Sequence, residues 1–356
     1  MAHSVIPKDH PKYPAIRRRM FETWAKTILG FGMMGGLIGL ALWAFGTSTF
    51  HLGIMGAIWL LLPIVMWALS AKVSLLITKS KPADPTNPLH ARLIKLVHEV
   101  WLESGLKYEP PVYVSPNPAP NAFATGPIHR FAVVAATDGL FNCGMTDDEI
   151  KAVFAHEFGH VKNYDVGINS MIAVLSSLFF LITDSGIRAL LGGLGWIKNG
   201  FGLRRVKRPF LPGIVTNILM YAIFWATGQV TKVIQLFVVR SRESGADATG
   251  ADMTGKPCDL ANALLKLVAY VEKNRPKPGR DLEMWRGMRV IGFIDPLFDA
   301  TTEPKSKGGV WEAIKAIWRK LQLTHPPVPE RCAQLERMNG GKCPAPTFPA
   351  GFRRAR

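Results

Sequence analysis

Long stretches without charged side chains constrain this chain most, because about 20 apolar residues in a helix are enough to cross a bilayer. Two such stretches stand near the amino terminus, at residues 27–47 and 50–71. Two further apolar runs follow at residues 166–183 and 213–239. A composition of 48% hydrophobic and 19% charged residues also favours a membrane protein. The pattern therefore predicts two pairs of integral-membrane α-helices.

The first pair is predicted to form a helical hairpin that stays in the membrane. Its first run is too long for a signal-peptide core and lacks a convincing cleavage site. The short connection at residues 46–51 contains no Lys or Arg, whereas basic residues flank both outer ends of the hairpin. By the positive-inside rule both outer ends are cytoplasmic. The chain is therefore expected to re-enter the cytoplasm at about residue 79.

The loop at residues 184–212 does not fit this simple topology. It carries six basic residues, Arg188, Lys198, Arg204, Arg205, Lys207 and Arg208. If the runs on both sides span the membrane, this loop lies outside, contrary to the positive-inside rule. Three interpretations stay open: the first hairpin dominates the topology, the second pair forms a shallow hairpin, or the loop binds lipid headgroups.

The net charge of +17 predicts a lipid partner rather than a nucleic acid. Many of the cations flank the apolar runs and do not gather into one patch interleaved with aromatic residues, so anionic headgroups are the expected partner. The four cysteines, at positions 143, 258, 332 and 343, include no Cys-x-x-Cys pair. They predict neither a disulfide framework nor a structural zinc site, and unpaired cysteines fit a reducing compartment.

A His-Glu-x-x-His motif, formed by His156, Glu157 and His160, lies on a predicted helix. The helix begins with a capping-box pattern, in which Thr146 is followed three residues later by Glu149. Positions four apart share one face of a helix, so both imidazoles can bind one ion. This arrangement is typical of zinc hydrolases, where the glutamate acts as the base for water. A polar helix face that matches by accident is the alternative.

Short strands and amphipathic helices are predicted around the motif. They indicate an α+β, mostly helical domain with a small β-sheet. The predicted helices cover residues 89–104, 258–273 and 309–321, and the predicted strands cover residues 111–114, 121–126 and 131–135.

A catalytic zinc usually has three protein ligands, and elimination identifies the third. No histidine occurs between His160 and His325, and the first glutamate after the motif is Glu243. Asp165 stands only five residues after His160, which is awkward for closing the same coordination sphere. Glu243 is therefore the predicted ligand. Asp247, four residues on, is predicted to accept a hydrogen bond from a ligating imidazole. A solvated acidic helix face is the alternative for this pair.

The chain resembles the M48 metallopeptidases over about residues 25–340. Four motifs occur in that family's order: residues 121–126, residues 156–160 with Asp165, Arg242-Glu243-x-x-Ala246-Asp247, and His325-Pro326 with Arg331. The resemblance implies a zincin-like (gluzincin) metalloprotease domain that binds one Zn²⁺ per chain. By position, the zinc ligands are His156, His160 and Glu243, and the general base is Glu157.

The resemblance also implies further site residues. One short segment is similar to the family's edge strand, which holds a polypeptide in extended form through main-chain hydrogen bonds: Asn121, Ala122, Phe123 and Ala124. Two more residues, His325 and Arg331, resemble residues near the catalytic centre. His325 is predicted either to stabilise the oxyanion or to cap the turn before Pro326.

The predicted function is a membrane-bound zinc endopeptidase that cleaves membrane or misfolded proteins in quality control. Its predicted location is the bacterial inner membrane, in multi-pass form, with the active site facing the cytoplasm. A non-proteolytic membrane scaffold or channel-type protein with a structural metal site is the alternative. The predicted segments are a basic cytoplasmic amino terminus (1–26), a transmembrane hairpin (27–78), the first half of the protease domain (79–165), a second pair of membrane segments (166–239), the second half of the protease domain (240–340) and a disordered tail (341–356).

Overall fold

The computed structural model describes residues 64–166, 242–274 and 325–348, with isolated positions between residues 25 and 61 and at 236, 239 and 240. The chain divides into two compact units. One contains Met1–Trp24, Trp67–Asn169 and Leu236–Arg356, and the other contains Ala25–Met66 and Ser170–Gln235. The helices and strands described below all belong to the first unit.

The predicted membrane segments fall mostly outside the described residues. So do the basic loop at 184–212 and the predicted helix at 309–321. Within the described ranges, no helix combines the length and the apolar character that a membrane crossing requires. The membrane helices therefore stay predictions from the sequence.

The sheet is small and mixed. Its strands are β1 (Lys81–Pro82), β2 (Val112–Ser115), β3 (Ala122–Thr125) and β4 (Val133–Thr137). They lie in the order β1-β2-β4-β3, with β2 parallel to β4 and the other two pairings antiparallel. The three predicted strands are confirmed, although β4 begins later than expected because residues 129–131 form a 3₁₀ turn. Among the described strands, β3 lies at an edge of the sheet.

Besides a helical stretch at residues 64–68, the described part of the chain contains six longer helices. They are α1 (Ser70–Ile77), α2 (Pro88–Ser104), α3 (Asp147–Lys162), α4 (242–254), α5 (Pro257–Asn274) and α6 (Val328–Asn339). The predicted helices at 89–104 and 258–273 are thus confirmed. The ends of α2 could be predicted because capping residues mark them. The Asn87 side chain accepts hydrogen bonds from the first backbone N–H groups, and Gly105 ends the helix at φ 66°.

Helix α3 carries the His-Glu-x-x-His motif and lies at the centre of the core. The predicted capping box is confirmed: Thr146 Oγ1 accepts from the Glu149 N–H at 3.2 Å, and Glu149 Oε2 accepts from the Thr146 N–H at 2.7 Å. Helices α2 and α5 and strand β3 pack around α3. Nearly every residue from Glu149 to Val161 is buried as a result. The motif therefore lies on a helix that is buried along almost its whole length.

Lys266 and Glu149 form a buried ion pair between α5 and the start of α3. Lys266 Nζ donates to Glu149 Oε2 at 2.7 Å and to the Gly144 carbonyl at 3.1 Å. We expect Lys266→Met to destabilise the protein by about 3 kcal/mol, because a buried carboxylate would lose its cation. Thermal unfolding in detergent measures this effect.

The matched control for Lys266→Met is Lys256→Met. Lys256 Nζ lies 3.0 Å from Asp148 Oδ2 in an exposed pair, and exposed pairs contribute less than about 1 kcal/mol. Equal shifts in the two variants would contradict the special role of the buried pair.

The prediction that the cysteines form no disulfide is wrong for two of them, and the argument from unpaired cysteines for a reducing compartment does not hold for this pair. Cys258 and Cys343 are bonded, with a Cα–Cα distance of 5.2 Å and a sequence separation of 85, while Cys143 and Cys332 are free. Packing of α5 against α6 brings the two sulfurs together, and no local spacing could reveal it. The tail predicted to be disordered covers residues 341–356. The structure describes this segment through residue 348, and the disulfide at Cys343 joins it to α5.

Candidate active site

The motif residues of α3 gather on one buried face of the helix. The rings of His156 and His160 stand edge to face, with centroids 4.7 Å apart and an interplanar angle of 88°. Glu157 lies beside them and is only 4% exposed. The four-residue spacing thus brings the two imidazoles together as predicted.

Two glycines let α4 approach α3 closely. A Cβ atom on Gly250 would lie 2.7 Å from the backbone nitrogen of His156, and a Cβ on Gly159 would lie 2.9 Å from the Ala246 carbonyl oxygen. Any side chain at either position would force the helices apart. This close crossing positions the carboxylates of Glu243 and Asp247, both on α4, against the imidazoles.

Glu243 completes a group of three potential metal ligands. Its Oε1 lies 3.3 Å from His160 Nε2, and its Oε2 lies 3.6 Å from His156 Nε2. The three ligand atoms all lie within 4.8 Å of one another, and the three residues are buried. The structure therefore brings the residue selected by elimination to the two motif histidines.

Asp247 and Arg331 form a chain of contacts behind His156. Asp247 Oδ1 lies 2.8 Å from His156 Nδ1. Arg331, on α6, donates from Nε and Nη2 to the two Asp247 oxygens at 2.9 and 2.6 Å. Burial alone would raise the pKa of Asp247, but the guanidinium and the His156 contact lower it to about 2. Asp247 is thus a permanent anion that fixes the orientation of His156.

A second chain of the same kind stands behind His160, and the sequence reasoning missed it. Asp165 Oδ2 lies 3.1 Å from His160 Nδ1, and the buried Arg242 donates from Nη1 to Asp165 Oδ1 at 2.6 Å. Helix α3 ends at Lys162, and Tyr164 has a φ of 60°, which turns the chain back toward the helix. Asp165 is therefore too near in sequence to be a ligand itself, but it is well placed to contact the Nδ1 atom of the candidate ligand His160.

The group of three fits a zinc ion. Because a carboxylate can only accept, each Nδ1 carries a proton, which leaves Nε2 as the nitrogen available to a metal ion. Two Nε2 atoms and a carboxylate therefore face one another in a buried space, where positive charge, as a proton on His160 or as a metal ion, balances the carboxylate. Two imidazole nitrogens and one carboxylate oxygen form a donor set that Zn²⁺ takes in catalytic sites.

The electrostatic environment of the three residues also favours positive charge between them. Burial lowers the pKa of His156 to about 4 and keeps it neutral. Burial also opposes a charge on His160, but the adjacent Glu243 and Asp165 carboxylates outweigh it and hold the pKa well above 6.5. His325 and His160 hold the pKa of Glu243 well below its ordinary range, despite the opposing effect of burial. The site thus favours positive charge at its centre.

Glu157 links the motif to the edge strand. Its Oε2 accepts a hydrogen bond of 2.7 Å from the Ala124 N–H, and burial raises its pKa to about 7. Ala124 lies opposite Val134 of β4, and because its N–H donates to Glu157 it points into the site. The Asn121, Ala122 and Phe123 side chains are buried. The predicted substrate-binding segment, residues 121–124, therefore presents its backbone at the site.

The two residues predicted to lie near the centre by resemblance are both there. His325 Nδ1 lies 3.1 Å from Glu243 Oε2, and Arg331 Nη1 lies 3.9 Å from the same oxygen. Both residues are buried. His325 therefore contacts the third candidate ligand directly, whereas Arg331 acts mainly on Asp247.

Two imidazoles, a carboxylate and an adjacent glutamate form the kind of site that metallopeptidases use, and comparison with known proteins agrees. The sequence matches peptidase family M48 over residues 88–339. The chain belongs to this family, so the resemblance seen in the sequence is confirmed.

Relatives described as "Protease HtpX homolog" are similar along most of the chain. The protein from Tropheryma whipplei (strain TW08/27) is 33% identical over 77% of this chain and 81% of its own length. The one from Caldanaerobacter subterraneus subsp. tengcongensis is 29% identical over 90% of this chain and 98% of its own length. The one from Persephonella marina is 29% identical over 88% and 96%.

Proposed function

We propose that this protein is a membrane-bound zinc endopeptidase that cleaves membrane or misfolded proteins. One observation carries the proposal: a buried set of three zinc-type ligand atoms within 4.8 Å of one another adjoins a carboxylate that bonds the backbone of an edge strand. A metal site, a proton acceptor and a strand able to pair with an extended peptide are the parts that zinc-dependent peptide hydrolysis needs.

His156, His160 and Glu243 would hold the ion. A zinc ion bound by such ligands polarises a carbonyl group and lowers the pKa of water from 15.7 toward about 7. Asp247 and Asp165 keep each imidazole in the tautomer whose Nε2 can bind a metal. His325, through its contact with Glu243, positions the third ligand; its predicted role at the oxyanion stays a prediction.

Glu157 moves the proton during cleavage. Its Oε2 stays on the Ala124 N–H, so Oε1 is the atom that takes the proton from the attacking water. As the C–N bond of the substrate breaks, the same carboxyl group returns that proton to the leaving amine. A pKa of about 7 suits a group that must both accept and release a proton near neutral pH.

The edge strand would bind substrate through main-chain hydrogen bonds. An extended peptide that adds to β3 places its scissile bond beside Glu157, because Ala124 contacts that carboxylate. Main-chain recognition discriminates little between sequences, which suits a protease that acts on misfolded chains. We also propose a multi-pass location in the bacterial inner membrane with the site facing the cytoplasm; the four apolar runs and the basic flanks support it.

A structural metal site in a non-proteolytic membrane protein is the alternative function. Structural zinc normally has four protein ligands, often including cysteine. In the part of the chain that the structure describes, the candidate group contains three ligands and neither free cysteine. A three-ligand site with a carboxylate beside it favours catalysis.

Cleavage of casein in detergent tests the proposed function. We expect the purified protein to hydrolyse casein with zinc, to stop when a chelator removes the metal, and to recover when zinc returns. A zinc-loaded protein that leaves casein and unfolded membrane proteins intact would support the structural alternative.

Asp165→Asn tests the contact chain behind His160. We expect zinc affinity to fall by about 10- to 100-fold, because the amide no longer fixes the imidazole tautomer with a full negative charge. Competition with a chromogenic chelator measures the affinity. Asp147→Asn, which removes an exposed carboxylate paired with Arg92, is the control and should leave affinity unchanged. Wild-type affinity in Asp165→Asn would mean that Asp165 has no orienting role.

A further inference from the structure

An exposed aromatic cluster lies beside the candidate site and takes no part in the proposed catalysis. Its apolar members are Tyr108, Ile128, Phe131 and Tyr164, which are 38%, 39%, 56% and 44% exposed. We call these residues, together with Lys107 and Arg130, the interfacial patch. Large apolar side chains that are exposed together usually mark a surface that meets another molecule.

Two cations lie among the rings of the interfacial patch. The Arg130 guanidinium carbon is 5.8 Å from the ring centroids of both Tyr108 and Phe131, and Lys107 Nζ is 5.4 Å from the Tyr108 ring. The neighbouring carboxylate of Glu109 is paired with His98 at 2.9 Å. The patch therefore presents aromatic rings and positive charge together.

The patch lies at one end of the sheet. Strands β2 and β4 are parallel, so the segments before them, which carry Tyr108 and Phe131, lie at the same end. The His129 ring stacks on the Tyr164 ring at 4.2 Å and joins the turn after α3 to this cluster. Tyr108, Phe131 and Tyr164, from three separate parts of the sequence, thus share one surface.

Helix α1 begins at the same end of the sheet. Ser74 Oγ accepts from Thr125 Oγ1 at 3.1 Å, and Thr125 pairs with Val133 at the start of β4. The carbonyl of Thr78, the residue that follows α1, accepts from Ser115 Oγ at the opposite end of β2. The helix therefore runs from the patch end of the sheet toward the other end.

Two of the apolar runs join the described domain at this end. The run at 50–71 leads directly into α1, and the run at 166–183 begins two residues after Tyr164. Aromatic rings mixed with Arg and Lys are the composition that proteins place at the level of lipid headgroups.

We propose that the interfacial patch docks on anionic lipid headgroups and holds the candidate active site next to the bilayer. This inference rests on the membrane anchoring proposed above. An acidic polypeptide is the other partner that this chemistry could bind. The junctions with the apolar runs favour the lipid surface, because the chain continues from this end of the described domain into two segments that the sequence predicts to enter the membrane.

Hydroxyl-radical footprinting of the full-length protein in nanodiscs tests the proposal. Labelling of Tyr108 and Phe131 is measured in phosphatidylcholine discs and in discs that also contain phosphatidylglycerol. We expect labelling in the anionic discs to be lower by roughly fivefold, the factor that about 1 kcal/mol for one cation at an anionic surface gives. Met338, an exposed residue on α6, reports the radical dose.

Charge reversal supplies the matched variants. Arg130→Glu is expected to abolish the difference between the two kinds of disc, whereas Arg337→Glu, an exposed position on α6, is expected to keep it. Cleavage of soluble casein should be unchanged in both. Equal labelling in the two discs, or protection that requires an added acidic polypeptide, would overturn the lipid assignment.

Two measurements on the same samples separate this proposal from the proposed function. Failure of the protein to assemble into discs would refute membrane anchoring and the lipid assignment together. Loss of casein cleavage with patch protection intact would refute only the protease assignment.

Discussion

Glu157→Gln is expected to lower casein cleavage by about 10²- to 10⁴-fold, the usual contribution of a general acid–base group. The amide cannot take a proton from water at neutral pH. Its carbonyl oxygen can still accept the Ala124 N–H bond that Glu157 Oε2 accepts now, so the fold and the edge strand should be preserved. Zinc content, measured by metal analysis, should stay at that of the unchanged protein because Glu157 is not among the three proposed ligands.

Glu103→Gln, an exposed position on α2, is the matched control and should retain full cleavage. The informative combination is a zinc-loaded, folded Glu157→Gln protein without activity. If that protein still cleaved casein at the unchanged rate, the proton would have to move through another group, and the role assigned to Glu157 would be wrong.

Glu243→Ala is expected to release zinc. The substitution removes the ligand atom that lies 3.3 Å from His160 Nε2, leaving two imidazoles to hold the ion. Affinity should fall by more than the roughly 10- to 100-fold expected for losing a residue that only orients a ligand. Metal analysis after dialysis measures the occupancy, and cleavage should be lost with it.

Asp252→Ala, a carboxylate on the same helix but outside the ligand group, should keep its zinc. The loss of zinc affinity in Glu243→Ala should be larger than that in Asp165→Asn, because Glu243 is a proposed ligand and Asp165 only orients one. Full zinc occupancy in Glu243→Ala would show that the third ligand is a different residue.

The motif helix and its ligands were predictable because their signals are local or nearly unique. The capping box of Thr146 and Glu149 spans four residues, and the two histidines follow the helical repeat. Glu243 could be found across a long gap because no other glutamate occurs between it and Glu157. Elimination needs no knowledge of the path of the chain.

The contacts that were missed depend on the path of the chain. Asp165 reaches His160 because the chain turns at Tyr164, which has a positive φ. No residue pattern in this segment predicts that turn. The Cys258–Cys343 bond and the Lys266–Glu149 pair join positions far apart in sequence, through the packing of α5 against α6 and α3. Lysine is usually exposed to solvent, so the sequence predicts an exposed position for Lys266. Tertiary packing buries it instead.

The two contact chains behind the histidines have a consequence for electroneutrality. Among the described residues at the site, four buried carboxylates face two buried guanidiniums: Glu157, Asp165, Glu243 and Asp247 against Arg242 and Arg331. With every carboxylate ionised and both imidazoles neutral, as they would be when bound to a metal, the formal balance is two negative charges, which one divalent cation would cancel. A monovalent ion leaves a net charge in a medium that solvates charge poorly. The buried charges of the protein would therefore favour a divalent ion over a monovalent one, in addition to any preference that comes from ligand geometry.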